Sequence, residues 1–427
     1  MTRPTMLIPT LVSSLLCACV AAGQPTHAVI GPDLTRRSVE FLGFDGGRLT
    51  VRDAGEVAAG RANLPTERMI DLEEVVALIP LGAILPVDPS AVLGPAGVVD
   101  DRPDAIIETV DGQRLWVELL TADASIDPPV VRARISTGAV VAIALERVSS
   151  IYTAESGETR PVTPDAEGFD AVAFGNGDVV SGFVASIGHE VVIETDGGDI
   201  RAPIARVARL TLANLPAPPA PTLIATIDGV IMAADALSGS PGRMIVSLAD
   251  ASVKPLRSEG APREIGISVE RLAGIVRGSS AGRLVPLGAG GPPTYEAAAG
   301  RRWTEAPVMP EGRAYLAGLG PITLRGPMSA TWTTPEGATR FATELRLDRG
   351  PWASCEVTFV ATVANGAEVE LWTSALASGS TRTADVNVAL PRGTVSITAR
   401  IDAGAFGPVQ DGVALEAARL LVGDGGG

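Results

Sequence analysis

The chain has 427 residues, of which 46% are hydrophobic, 19% charged and only 4% aromatic. That length exceeds one core of ordinary size and the apolar content excludes disorder, so several packed domains are expected. A formal net charge of -15 and a pI near 4.7 set up a field that repels nucleic acid and anionic lipid head groups, which excludes polyanions as partners.

Residues 1–23 read as a secretory signal peptide: Arg3 precedes an uncharged apolar run from Met6 to Val20, and the small residues Ala21, Ala22 and Gly23 follow. The run is short for a membrane span, and no later segment approaches ~20 uninterrupted apolar residues. A soluble bacterial protein without a membrane span is expected, either secreted or held in the periplasm or cell envelope. A second reading takes Leu16 to Cys19 as a lipoprotein box with Cys19 as the anchored residue. Removal of Cys17 and Cys19 would leave Cys355 alone, with no internal disulfide.

Four stretches then repeat one plan: an Asp-Gly or Asn-Gly turn, a hydrophobic strand, a variable segment, and a ten-residue ending with apolar residues at its fourth, seventh and tenth places. The endings are MIDLEEVVAL (69–78), AIALERVSSI (142–151), RAPIARVARL (201–210) and GISVERLAGI (266–275). The turn signals are Asp45-Gly46, Asp111-Gly112, Asn176-Gly177 and Asp228-Gly229. Alternating Val and Ile broken by Gly and Asp predicts short strands joined by tight turns, in β-repeats over 38–84, 104–155, 168–212 and 222–285. Their arrangement resembles Sm-like or SH3-like small β-barrels. A helical turn in LEEVVAL stays open, because its apolar spacing fits both readings. Units this small are marginal alone, so stacking of neighbours is expected.

LANLPAPPAPT (212–222) reads as a semi-rigid spacer, and residues 286–310, opening PLGAGGPPTYEAAAG, read as a linker. Beyond it, GRAYLAGLGPITLRG (312–326) falls one glycine short of a dinucleotide fingerprint and continues into Pro321 and β-rich sequence rather than a helix. The alternation then becomes regular. Phe341, Thr343, Leu345 and Leu347 share one face, as do Cys355, Val357 and Phe359; Val386, Val388 and Leu390; and Val395, Ile397, Ala399 and Ile401. Such strands at short spacing predict an antiparallel β-sandwich.

GRAYLAGLG, FATELRLD (341–348), CEVTFVATVANGAEVELWTS (355–374) and DGVALEAARL (411–420) resemble the NPCBM family of carbohydrate-binding modules found beside glycoside hydrolases. The matching positions are Tyr315, Gly318, Leu319, Gly320, Phe341, Asp348, Val357, Phe359, Leu371, Trp372, Ser374, Asp411, Ala418, Arg419 and Leu420. Where the family places a lysine this chain has Ala317. Ile322-Thr323 replaces a His-Ser, and Gly412-Val413-Ala414-Leu415 replaces a His-Ala-Asp-Trp. The resemblance implies a galactose-binding-like jelly roll over 311–424. The expected fold is therefore all-β, with tandem small barrel-like repeats followed by that sandwich.

Four of the five tryptophans, Trp303, Trp332, Trp352 and Trp372, lie in this last third. Flat rings stack on the apolar faces of sugars while charged groups fix the hydroxyls. The candidate glycan-binding residues are Trp372, Trp352, Asp348, Arg349, Glu370 and Asp411. Trp372 is expected on the polar strand face that carries Glu368 and Glu370, and Trp352 on a turn beside Asp348 and Arg349. The other reading of both tryptophans is structural, with Trp352 plugging one end of the sandwich.

Catalytic signals are poor. The two histidines are His27, beside the processing region, and His189, in a Gly-His-Glu turn. Gly278-Ser279-Ser280-Ala281-Gly282 fits G-x-S-x-G, but no histidine follows it in the chain. No enzymatic activity, cofactor or catalytic metal is expected; a structural calcium at Asp348 or Asp411 is the one cation open to the sandwich. The expected function is non-catalytic glycan or polysaccharide binding on a repeat scaffold. The alternative is an assembly role in which repeats and sandwich bind other envelope proteins.

Overall fold

The computed structural model describes residues 26–53, 66–81, 105–119, 129–135, 140–153, 168–215, 217, 220–227, 229–240, 242–248, 253–255, 264–278, 282–298, 304–310, 319–379, 381–407 and 411–423. The expected signal segment, Cys17, Cys19, Trp303, Tyr315 and Gly318 lie outside these residues. Strands and short 3-10 turns account for all of the regular structure described, with no α-helix.

Repeat one comprises β1 (His27–Ile30), β2 (Arg36–Asp45), β3 (Arg48–Asp53), β4 (Glu67–Asp71), a 3-10 turn (Leu72–Glu74) and β5 (Ala77–Pro80). Repeat two has β6 (Ala105–Thr109), β7 (Arg114–Leu119), β8 (Val130–Ile135), β9 (Val140–Ala144) and β10 (Val148–Thr153). Repeat three has β11 (Asp170–Phe174), β12 (Val179–Ile187), β13 (Glu190–Thr195), β14 (Gly198–Pro203) and β15 (Val207–Thr211). Repeat four has β16 (Thr222–Thr226), β17 (Ile231–Ser240), β18 (Arg243–Leu248), an additional β19 (Val253–Pro255), β20 (Glu264–Ser268) and β21 (Leu272–Arg277).

The repeated endings explain this uniformity. The fourth-place residue (Leu72, Leu145, Ile204, Val269) opens a single 3-10 turn in every repeat, which settles the helix-or-strand ambiguity of LEEVVAL. The tenth-place residue (Leu78, Ile151, Leu210, Ile275) lies buried in the closing strand. That strand pairs antiparallel with the first strand of its own repeat, bending the sheet into a barrel-like unit. In repeats one, three and four the long second strand carries a bulge, between Phe41 and Gly43, Val184 and Ser186, and Ala234 and Ala236. A bulge sharpens the bend, so one half of the strand pairs backwards and the other half forwards.

Repeat one starts earlier than its turn signal suggests. Asp45-Gly46 joins β2 to β3, whereas Asp111-Gly112 and Asn176-Gly177 join the first two strands of their repeats. The equivalent turn in repeat one is Gly31-Pro32-Asp33-Leu34, and His27 lies within β1. A four-residue strand such as HAVI is too short to announce itself by alternation.

Closing strands also join the repeats. β5 pairs with β21 (Leu78 opposite Ile275), and β10 pairs with β15 (Ile151 opposite Leu210, Tyr152 opposite Arg209). Repeat one is thereby joined to four, and two to three, while β17 meets β7 and β19 meets β9 to link the two pairs. One apolar core runs through all four units.

The sandwich has two five-stranded sheets. One contains β22 (Arg283–Pro286), β24 (Ile322–Arg325), β26 (Ala338–Leu347), β29 (Thr383–Ala389) and β31 (Gly412–Val422). The other runs in the order β23 (Thr294–Ala297), β25 (Met328–Thr333), β30 (Thr394–Ala403), β27 (Ser354–Val363), β28 (Glu368–Ala377). β22 pairs with β31 and β23 with β25, so part of the stretch read as a linker is built into the sandwich. Its glycines and prolines punctuate two short edge strands rather than a free joint.

Phe341, Leu345, Leu347, Cys355, Val357, Phe359, Val386, Ile397, Ala399 and Ile401 are buried between the sheets, as their alternation implies. Val395 is exposed instead: the ladder between β27 and β30 slips so that Val363 meets Thr394 and Thr362 meets Ser396. A separate apolar cluster, including Ile30, Leu34, Leu223 and Val276 from the repeats and Ala342, Ala417 and Leu421 from the sandwich, joins the two regions. Arg419 crosses this seam almost fully buried, donating to the backbone oxygens of Leu34 (2.7 Å) and Ala417 (2.9 Å). Arg36 pairs with Glu344 at 2.6 Å beside it.

Candidate functional site

The loops β26–β27, β28–β29 and β30–β31 gather at one end of the sandwich, and this end holds four of the six candidate residues. Trp352, on the turn before β27, is 57% exposed and packs edge-to-face against Phe406, with centroids 5.4 Å apart at 79°. Phe406 is itself 48% exposed and comes from the loop after β30, anchored by its backbone amide donating to Ser354 Oγ (3.4 Å). Trp352 therefore does not plug the sandwich; Trp332 fills that kind of position, buried in the core.

Asp348 follows β26 with its side chain exposed. Its amide donates to the Gly412 carbonyl (2.9 Å), and its carbonyl accepts from the Arg382 guanidinium (2.9 Å). A Cβ at position 412 would run into the Asp348 carboxylate as it stands, so the two loops lie close together here. Arg349 is exposed on the same turn. Asp411 is buried, and its carbonyl accepts from the Gly326 amide (3.4 Å). Between them the Cys355 thiol is pushed up to about 12, first by burial and then by the Asp411 and Asp348 carboxylates, so it stays protonated and unreactive.

Trp372 and Glu370 do not join this end. Phe359 pairs with Trp372 but Val360 pairs with Glu370, so Leu371 is an extra residue in β28. That bulge reverses the alternation. Trp372 turns to the core side, half-buried against the Phe359 ring at 6.1 Å, while Glu370 stays exposed on the other face. The polar face expected for Trp372 fails because alternation counts residues and cannot register an inserted one. Trp372 also lies five registers from the Ser354–Ala377 end of its ladder, about 17 Å along a strand.

Phe406 is the residue that sequence reading missed. Its signal is an aromatic flanked by turn-formers in Gly404-Ala405-Phe406-Gly407 between two regular strands. Among the described residues no group of three His, Cys, Asp or Glu side chains is placed to hold a metal ion, and no helix is long and apolar enough to cross a membrane.

No family model matches the chain, and no curated protein does. Several solved structures are similar to it. One is the CBM51-2 and INT domains of Clostridium perfringens ZmpB, at 13% identity and a TM-score of 0.25 over 45% of this chain and 44% of that one. Another is the CBM51 of Clostridium perfringens GH95 in complex with methyl-galactose, at 17% identity and a TM-score of 0.20 over 31% and 81%. A third is the tandem CBM51 modules of the family 98 glycoside hydrolase Sp3GH98 of Streptococcus pneumoniae, at 12% identity and a TM-score of 0.21 over 76% and 95%. The chain spans less than half the length of the first of these.

Proposed function

We propose that the sandwich binds carbohydrate at its loop end, with Trp352 as the stacking platform. The observation that carries this reading is the exposed Trp352 ring, held on edge by Phe406. Leaving a large ring in water forfeits about 1.5–3 kcal/mol of burial, and bracing it fixes its face in advance of a ligand. A sugar offers an apolar C–H face to such a ring and hydroxyls to Arg349, Arg382 and Asp348 on the loops of the same end. The resemblance to the NPCBM pattern supports the same reading.

The proposed role is recognition; the two histidines belong to the repeats, His27 in β1 and His189 in the turn before β13. The repeats serve as the scaffold that carries the sandwich, on a chain exported by its apolar N-terminal segment. A glycan array followed by titration calorimetry on the full chain tests this. Binding should be abolished by Trp352→Ala, weakened by Phe406→Ala, and little changed by Trp372→Phe. Failure to bind any polysaccharide, or equal binding by Trp352→Ala, would refute it and leave an assembly role as the better reading.

A further inference from the structure

In three repeats the fourth core strand is an unpaired sheet edge among the described residues: β4, β14 and β20 each pair with one neighbour only. The equivalent strand of repeat two, β9, is covered. β19, an extended segment belonging to repeat four, lies antiparallel against it, with Val253 opposite Ile143 and Pro255 opposite Val141. The chain itself thus shows what this place in the repeat accepts: an added strand. An open edge presents a row of backbone donors and acceptors to whatever can pair with it.

The three open edges differ in charge. On β4 the carboxylates are neutralised from the adjacent strand, Asp71 by Arg48 (2.7 Å) and Glu67 by Arg52 (2.6 Å). On β20 the Arg243 guanidinium lies against Gly266. On β14, by contrast, Asp199 stands directly across from Glu194, neither makes an ion pair among the described residues, and the strand's one cation, Arg201, lies two positions along the same exposed face. Like charges opposite one another destabilise a ladder, and a cation on the next strand would relieve them. The same row continues to Phe183, which pairs with Glu194 from the other side and is 61% exposed. On the opposite face Ile200 leaves the edge apolar and 38% exposed.

We propose that β14 is a docking edge for an extended segment of a partner protein that carries one basic residue among uncharged, largely apolar ones. Laid antiparallel on β14 as β19 lies on β9, such a segment sets a basic side chain opposite Asp199, within reach of Glu194. The next residue then covers Ile200. Main-chain hydrogen bonds supply the affinity, and the alternation of side chains supplies the specificity.

The test is fluorescence anisotropy on the full chain near physiological salt, using a labelled basic peptide with one central Arg among Val and Thr. The same peptide with Glu in place of Arg serves as comparison, together with a version of the basic peptide in which alternate valines are proline. The basic peptide should bind saturably and the other two should not. Glu194→Arg with Asp199→Arg should weaken binding at least about tenfold. Glu73→Arg with Glu74→Arg, an equal charge change on the exposed turn of repeat one, should leave it unaltered. A circular dichroism melt checks folding; if the arginine pair does not fold, Glu194→Gln with Asp199→Asn replaces it under the same criterion. The proposal is overturned if the basic peptide does not bind, if the proline version binds as well, or if both double variants weaken binding equally. The last two outcomes would mean diffuse attraction to an acidic protein rather than strand addition.

Discussion

The repeats and the sandwich are built from the same antiparallel, alternating strands, yet they bury their apolar faces in different ways. A repeat is too small to bury much surface alone, so its closing strand serves both its own sheet and that of another repeat. The sandwich closes two five-stranded sheets over a core of its own and uses the repeats only at one outer seam. Cooperativity should therefore be spread across the repeats and concentrated within the sandwich. The seam around Arg419 decides how far one region feels the other.

The hardest blow to this contrast is Phe359→Ala. Phe359 is fully buried between Phe341 (5.0 Å) and Trp372, and its loss should cost about 3–5 kcal/mol. In urea, near-ultraviolet signals from the sandwich should melt early while the repeats hold; simultaneous melting of the whole chain would erase the distinction. Leu210→Ala removes a closing-strand side chain at the join between repeats two and three, at a cost of about 2–5 kcal/mol. Hydrogen exchange should quicken in both β15 and β10, and a change confined to repeat three would show that the repeats stand alone.

Arg419→Leu should cost about 2–3 kcal/mol, because it leaves the Leu34 and Ala417 carbonyls without their charged donor. Its signature is a separation of two unfolding transitions in calorimetry, since the seam weakens while both cores stay intact. The smallest effect is a pH dependence. Burial lowers the His27 pKa from 6.5, against the opposing pull of the Ala273 and Leu272 backbone groups, so the folded chain favours the neutral ring where repeat one meets repeat four. Stability from this group is present above pH 6.5 and is lost as pH falls through the depressed value, with a slope of at most about 1.4 kcal/mol per pH unit. His27→Phe should flatten that slope between pH 6.5 and 5; an unchanged slope would assign it to other groups.

Much of this was legible in the residues. Apolar places seven and ten of each ending mark the buried closing strand, because those places fill the core in all four repeats, whereas the 3-10 turn at place four was not distinguishable from other readings by its spacing. The alternation over 341–347 and 355–359 likewise marks the sandwich core. The start of repeat one was hidden by a strand of four residues. At the loop end, Trp352, Asp348 and Arg349 could be placed on one turn from their order alone, but Phe406 comes from a loop more than fifty residues away.

Local order determined the all-β class, the repeating unit and the faces of the regular strands, since strand periodicity and turn chemistry act over a few residues. Only the tertiary structure decided that closing strands join the repeats in pairs, that a bulge at Leu371 turns Trp372 inward, and that Phe406 stands against Trp352. Those outcomes depend on which strand lies beside which, and register between strands distant in the chain is set by the packing of the whole core rather than by any one segment.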